Sequence, residues 1–123
     1  MVQGISPTQL AQYRATAQRR QVAHDQQQSQ RQRQGWEVAQ QAARVLKQQF
    51  GAQQVWLFGS MLESRRVRPE SDIDLAVMGL ADDRYLEAVA QLLDLSEFLV
   101  DLVQIEHAQP RLRERIEQQG VEP

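Results

Sequence analysis

The feature that most limits how this chain can fold is a run of polar residues, 24–34, which follows a segment with helical signals. A helix packs on a core through an apolar stripe, so this run cannot face a core on its own. It is either a solvated helix that reaches partner surfaces or a frayed hinge. If residues 7–50 form one helix, that helix is about 65 Å long, which is far beyond a small domain. Gly35 is the expected kink or break.

Capping residues mark helix boundaries on both sides of this run. Ser6, Pro7 and Gln9 form the start signal of a capping box, which predicts that a helix begins at Pro7. Gly51 is the predicted end of the helical region. Before Gly51, apolar side chains recur with helical spacing and predict a face that packs on the core. These residues are Trp36, Val38, Ala39, Ala42, Ala43, Val45, Leu46 and Phe50.

Beyond Gly51 the chain alternates between strand and helix patterns. Short apolar runs predict strands at residues 55–58, 71–77 and 99–105. Helical spacing of apolar residues predicts helices at 82–98 and 110–119. Such alternation predicts an α/β fold with a small mixed β-sheet flanked by helices.

The chain divides into two parts of unlike charge. We predict an N-terminal helical arm, residues 1–35, followed by one folded domain, residues 36–123. Residues 1–54 carry seven basic and two acidic side chains, a net charge of +5. Residues 55–123 carry seven basic and fourteen acidic side chains, a net charge of −7. The acidic part therefore holds the carboxylates from which a catalytic site could be built.

Composition excludes several classes of chemistry. The chain has no cysteine and only two histidines, His24 and His107, which are far apart in sequence. Thiolate metal sites and cysteine nucleophiles are therefore excluded, the two histidines leave little for an imidazole cage, and we expect any metal to bind oxygen ligands. No apolar run reaches the roughly 20 residues of a membrane span, and no signal-peptide pattern is visible, so we expect a cytoplasmic protein.

Three aspartates form the most unusual chemical pattern. Asp72 and Asp74 alternate along a predicted strand, so both would project from one face, about 7 Å apart. Two like charges repel there unless a divalent cation such as magnesium joins them. Asp101 lies within an apolar strand and would be buried, so it needs a partner. That partner is either the same metal or an arginine, one of Arg65, Arg66, Arg68 and Arg84.

Gly59 and Ser60 follow the first predicted strand. A glycine at a strand end lets the backbone approach a ligand closely, and the serine hydroxyl adds a hydrogen-bond donor. A Gly-Ser pair is also a common turn, so both interpretations stay open for this pair taken by itself.

Together these residues resemble the nucleotidyltransferase fold of the DNA polymerase beta superfamily. Its signature is an apolar residue, Gly-Ser, a spacer, Asp-x-Asp on the next strand and a third acid on a later strand. The chain is similar to the minimal nucleotidyltransferases (MNT), which are often encoded beside a HEPN-domain toxin as its antitoxin. The resemblance covers roughly residues 36–120. The matching residues are Leu57-Phe58-Gly59-Ser60, Ser71-Asp72-Ile73-Asp74-Leu75 and Asp101.

The resemblance implies an activity and a role for each matching residue. Gly59 and Ser60 would hold the outer phosphates of ATP, while Asp72, Asp74 and Asp101 would ligate two magnesium ions. Asp101 would also activate an incoming hydroxyl. AMP would then pass to an acceptor, which in MNT relatives can be a tyrosine of the HEPN-domain partner.

The N-terminal arm permits a second interpretation. The chain could be a non-enzymatic interaction module that keeps the fold and binds its partner through the N-terminal helix. Leu10, Tyr13 and Ala17 stand at helical spacing, which also suggests self-association. Tyr13 is the only aromatic residue of the arm before Trp36, so we expect helix packing against protein rather than nucleic-acid binding.

Overall fold

The first half of the molecule is one long helix. The structure is a computed structural model and describes residues 4–123. Helix α1 runs over Pro7–Phe50, 44 residues. Its start is as predicted, because the Gln9 amide donates to the Ser6 hydroxyl and the Ser6 amide donates to the Gln9 side chain, both at 3.1 Å. These two bonds satisfy donors that a helix start leaves free.

Gly35 does not break the helix, so the break predicted there was wrong. Gly35 is buried inside α1, and a Cβ atom at this position would lie 2.6 Å from the Met61 sulfur. The glycine therefore permits close approach of the helix to the domain. Because α1 is continuous across residue 35, the boundary between arm and domain at this residue stays a sequence-based prediction.

Gly51 ends α1 in the left-handed conformation, with a φ angle of 69°. A Cβ atom at this position would meet no other atom within 4 Å. We therefore expect Gly51→Ala to lower the free energy of unfolding by about 1 kcal/mol through backbone strain alone. Gly51→Asn should cost less, since asparagine tolerates this conformation better. Urea unfolding of both variants measures the difference, and an alanine variant as stable as the parent chain contradicts it.

A three-stranded mixed sheet forms the centre of the domain, as predicted. Strand β1 covers Gln54–Phe58, β2 covers Ile73–Met78 and β3 covers Val100–Gln104. The strand order is β1-β2-β3, with β2 antiparallel to β1 and parallel to β3. The central strand β2 is thus buried between two neighbours.

The two faces of the sheet are covered by different helices. On one face, α1 and the short helix α2, Tyr85–Leu93, enclose the main core. On the other face, helix α3, Pro110–Gln119, packs through Ile116 against Phe58, Ala76 and Ile105. No helix within residues 4–123 has the length and apolar composition to cross a membrane.

Three predicted elements are shorter in the structure, and one of them, β3, begins and ends one residue inside its predicted range. The second strand begins at Ile73 rather than at residue 71, so Asp72 lies just before it. The helix predicted over residues 82–98 is a single 3-10 turn, Asp82–Arg84, followed by α2. It ends at Leu93, because the following residues form turns in which the Ser96 hydroxyl accepts from the Phe98 amide at 3.1 Å. Helix α3 has its predicted bounds.

Candidate active site

Strand register brings two of the three aspartates side by side. Asp74 pairs with Asp101 across the parallel strands β2 and β3, and with Phe58 across β1. Paired positions on adjacent strands lie about 5 Å apart and project from the same face. Asp74 and Asp101 therefore share a face of the sheet, at the amino-terminal ends of β2 and β3.

Asp72 and Asp101 are more exposed than the sequence suggested. Asp72 precedes β2, so the two carboxylates of the Asp-x-Asp pair are not both inside a strand. Asp101 is exposed, and the expectation that it would be buried was wrong, because its neighbours Val100 and Leu102 fill the core while Asp101 faces the other side. Only Asp74 is half-buried.

Asp74 is the electrostatic centre of this cluster. Burial, together with the negative charges of Asp101 and Asp72, raises its pKa from 3.8 to about 6. All three causes disfavour the negatively charged form of Asp74. The cluster is therefore a site at which a cation or a proton is favoured.

Gly59 completes the site on its other side. Its φ angle of 79° is in the left-handed region. A Cβ atom added there would collide with the Oδ2 atom of Asp74. The Gly59 backbone thus packs directly against the Asp74 carboxylate, and Ser60 follows in a short 3-10 turn, Gly59–Leu62. The structure brings the Gly-Ser and Asp-x-Asp motifs together.

Arginine does not neutralise the acidic cluster. Among residues 4–123, none of the three aspartates forms an ion pair within 4 Å. Arg84 instead pairs with Glu87 at 3.4 Å and donates to the Gln49 carbonyl. The three other arginines that could have paired with Asp101 are exposed; they are Arg65, Arg66 and Arg68.

The residues of the cluster fit a hydrated magnesium ion. Within residues 4–123, no three acidic or histidine side chains converge closely enough to enclose a metal by themselves. Magnesium commonly keeps several waters and takes one or two carboxylates plus phosphate oxygens. The carboxylates of Asp72, Asp74 and Asp101, none of which forms an ion pair within the described residues, meet the requirement for one or two carboxylate ligands.

Several contacts of the polar run were not visible in the sequence. Side chains of Gln28, Arg31 and Gln32 donate to backbone carbonyls between Met61 and Ser71. A cavity of about 220 Å³ opens between this part of α1 and the turn at Val67, and none of the three aspartates lines it. These contacts were not predictable from the sequence, because the acceptors are backbone carbonyl groups, which every residue type carries.

His107 has a partner that the sequence did not indicate. Its Nε2 atom lies 2.9 Å from the Asp82 carboxylate, which also accepts from Gln104 at 2.9 Å. The hydrogen bond to Asp82 raises the pKa of His107, and the same bond lowers the pKa of Asp82. Both side chains are exposed, so this pair joins two 3-10 turns and is not part of the aspartate cluster.

The fold and the site define a class of protein, a small α/β nucleotidyltransferase. The model of the family "Polymerase beta, Nucleotidyltransferase" matches residues 40–122, and the chain belongs to this family. No curated protein sequence matches the chain.

The solved structures that are similar to this chain include the following two. One is a crystal structure of a toxin-antitoxin with AMP-PNP, at 26% identity and a TM-score of 0.56, covering 68% of this chain and 70% of that one. The other is described as a minimal nucleotidyltransferase, at 32% identity and a TM-score of 0.53, covering 72% of this chain and 92% of that one. The chain is thus a member of the polymerase beta superfamily that is similar to minimal nucleotidyltransferases.

Proposed function

We propose that this chain is a magnesium-dependent nucleotidyltransferase that transfers AMP from ATP to a partner protein, as an antitoxin-like protein of a HEPN-domain toxin. The observation that carries the proposal is the packing of Gly59 against Asp74, with Asp101 beside it in register. The Gly59 backbone, which a phosphate group can approach closely, therefore lies next to the carboxylates of Asp74 and Asp101, which can bind a metal.

Each residue of the site has a role in the proposed reaction. Gly59 and Ser60 bind the outer phosphates of ATP, and Asp72, Asp74 and Asp101 hold magnesium. When bound, two magnesium ions supply charge stabilisation for the entering and leaving oxygens. The acceptor oxygen forms a bond to the α-phosphorus, the bond from that phosphorus to the bridging oxygen breaks, and pyrophosphate leaves. Asp101 accepts the proton of the acceptor hydroxyl.

Exposure of Asp101 suits a large acceptor. A base that activates a hydroxyl group of another protein must be reachable from outside, and Asp101 is exposed on its strand. A tyrosine side chain on a HEPN-domain partner is the acceptor that we propose. The similarity to a toxin-antitoxin structure with AMP-PNP supports both a protein partner and ATP as the nucleotide.

Calorimetric titration with AMP-PNP tests the nucleotide site. We expect the parent chain to bind AMP-PNP only when magnesium is present. Asp72→Asn combined with Asp74→Asn should remove that binding, because the variant loses two of the three metal ligands. Asp83→Asn is the matched control, since Asp83 is an exposed aspartate on a different turn. Unchanged affinity of the double variant for AMP-PNP in the presence of magnesium would refute the proposal.

A second candidate function is that of a non-enzymatic interaction module, and the exposed part of α1 favours it. From Ile5 to Gln27 all residues except Ala15 and Thr16 are exposed, although isolated helices are marginal in water. The apolar side chains on this exposed segment are available to a partner or to a second copy of the chain. They include Ile5, Leu10, Tyr13 and Val22.

Substitution of two of these side chains separates the candidates. Leu10→Gln with Tyr13→Gln keeps helix-compatible residues but removes the apolar surface. If the arm binds the partner, this variant should lose the complex with a HEPN-domain protein, or the self-association, while AMP-PNP binding stays unchanged. Size-exclusion chromatography with light scattering measures the complex with the partner and the self-association, and calorimetric titration measures AMP-PNP binding. Retention of every complex in this variant contradicts a role for the arm in association.

A further inference from the structure

The segment between the two sequence motifs is attached to α1. Residues 59–72 connect the Gly-Ser pair to Asp72, and a row of α1 side chains donates hydrogen bonds to the carbonyl groups of this segment. The donors stand at helical spacing on one face of α1. The bonds are Gln28 to Arg65 at 3.2 Å and to Val67 at 2.9 Å, Arg31 to Ser71 at 3.1 Å, and Gln32 and Trp36 to Met61 at 3.0 and 2.8 Å.

Arg31 touches the two chain segments that deliver the aspartates. Its Nη2 atom donates to the carbonyl of Ser71, the residue directly before Asp72. Its guanidinium lies 4.3 Å from the ring centre of Phe98, which precedes Asp101 by three residues. One side chain therefore bridges the approach to β2 and the approach to β3.

The bridge lies beside the first bond of the parallel ladder. The Ile73 amide donates to the Leu99 carbonyl at 2.9 Å, which joins the starts of β2 and β3. Arg31 contacts Ser71, two residues before Ile73, and Phe98, the residue before Leu99. Because Phe98 is buried, the stacked guanidinium has a rigid base.

Arginine at this position carries an unfavourable feature. The Nε atom of Arg31 is buried and has no hydrogen-bond partner within the described part of the chain. A buried unsatisfied donor destabilises the fold. The planar face over Phe98 and the terminal donor to Ser71 are two contacts that an arginine side chain combines.

We infer that Arg31 is a positioning residue of the nucleotide site. It holds the starts of β2 and β3 together so that Asp72 and Asp101 remain close to Asp74. The inference rests on the proposed function for its effect on nucleotide binding. Arg31 lies outside residues 40–122, the range that matches the family, so this support is built by the N-terminal helix.

The test compares three variants of the full chain. Arg31→Met removes the donor and the planar face but keeps the aliphatic stem, and Arg31→Lys keeps the charge. Arg33→Met is the matched control, since Arg33 is an exposed arginine on the same helix. Calorimetric titration with AMP-PNP measures affinity and the magnesium concentration that half-saturates binding. Hydrogen exchange without nucleotide measures the amides of Ser71 and Ile73, both of which are hydrogen-bonded.

We expect Arg31→Met to weaken magnesium-dependent binding at least about tenfold, as loss of a side chain that orients metal ligands does. Arg31→Lys should recover part of the loss, and Arg33→Met should bind like the parent chain. Exchange at Ser71 and Ile73 should accelerate in Arg31→Met without acceleration in the middle of β2. A variant that melts earlier but binds AMP-PNP and magnesium normally overturns the inference.

Failure of the proposed function gives a different result. If the parent chain does not bind AMP-PNP, the nucleotide site itself is refuted. Hydrogen exchange still decides the positioning role in that case. Acceleration confined to Ser71 and Ile73 supports the bridge, whereas unchanged or uniformly faster exchange overturns it.

Discussion

Asp74→Asn is expected to stabilise the fold at about pH 8 while it abolishes magnesium-dependent nucleotide binding. In the folded chain, burial and the charges of Asp101 and Asp72 raise the pKa of Asp74 to about 6, above its ordinary 3.8. The folded state therefore binds the proton more tightly than the unfolded state, and stability falls as pH rises from 3.8 to about 6. Asparagine removes this loss because it carries no charge.

The size of the gain follows from the pKa shift after allowance for solvent. Since Asp74 is only half-buried, we expect about 1–2 kcal/mol more stability for Asp74→Asn above pH 6 and none below pH 4. Urea unfolding across this pH range, with a chelator present, measures it. Asp83→Asn should leave the pH dependence unchanged. An Asp74→Asn variant that loses stability with pH as the parent does contradicts a raised pKa at Asp74.

Gly59→Ala is expected to have the second large effect. Alanine at this left-handed backbone position costs about 1–2 kcal/mol, and its Cβ atom collides with the Asp74 carboxylate. Asp74 must then move away from Gly59. We expect magnesium-dependent AMP-PNP binding to weaken at least about tenfold, because displacement of a binding group by about 1 Å is already costly.

Gly51→Ala is the matched control for this substitution. Gly51 has a similar φ angle, but a Cβ atom there meets no other atom within 4 Å. Gly51→Ala is therefore destabilised by backbone strain alone. Gly59→Ala should be less stable than Gly51→Ala by about 1–3 kcal/mol, the usual cost of overpacking. In an Asp74→Ala background the excess should vanish, because the colliding carboxylate is gone. Equal stability of the two single variants, with full nucleotide affinity in Gly59→Ala, contradicts the contact.

Local signals in the sequence predicted the ends of α1 correctly. The Ser6 and Gln9 side chains cap the backbone three residues away, so the whole interaction lies within one short segment. Gly51 likewise ends the helix through its own backbone angle. The bounds of α3 were predicted for the same reason, since Pro110 begins it and Gly120 follows its end.

Interactions between distant segments were not predictable in the same way. Glycine has a low helix propensity, so Gly35 suggested a helix break. Its role depends instead on Met61, which approaches it from the 3-10 turn after β1. Asp101 sits in an apolar strand, yet the alternation of β3 turns it to the outer face. Both errors arose because one sequence pattern is compatible with two tertiary positions.

The sequence by itself predicted the order of helices and strands after Gly51, the mixed α/β class and a candidate set of residues able to supply the chemistry, Gly59, Ser60, Asp72, Asp74 and Asp101. Local hydrogen bonding and hydrophobic periodicity are sufficient for those conclusions. Only the tertiary structure decided that the polar run is helical and attached to the segment 59–72. Its partners are backbone carbonyls 29 to 40 residues away, which no side-chain pattern reveals. The pairing of Asp74 with Asp101 depends on strand register in the same way.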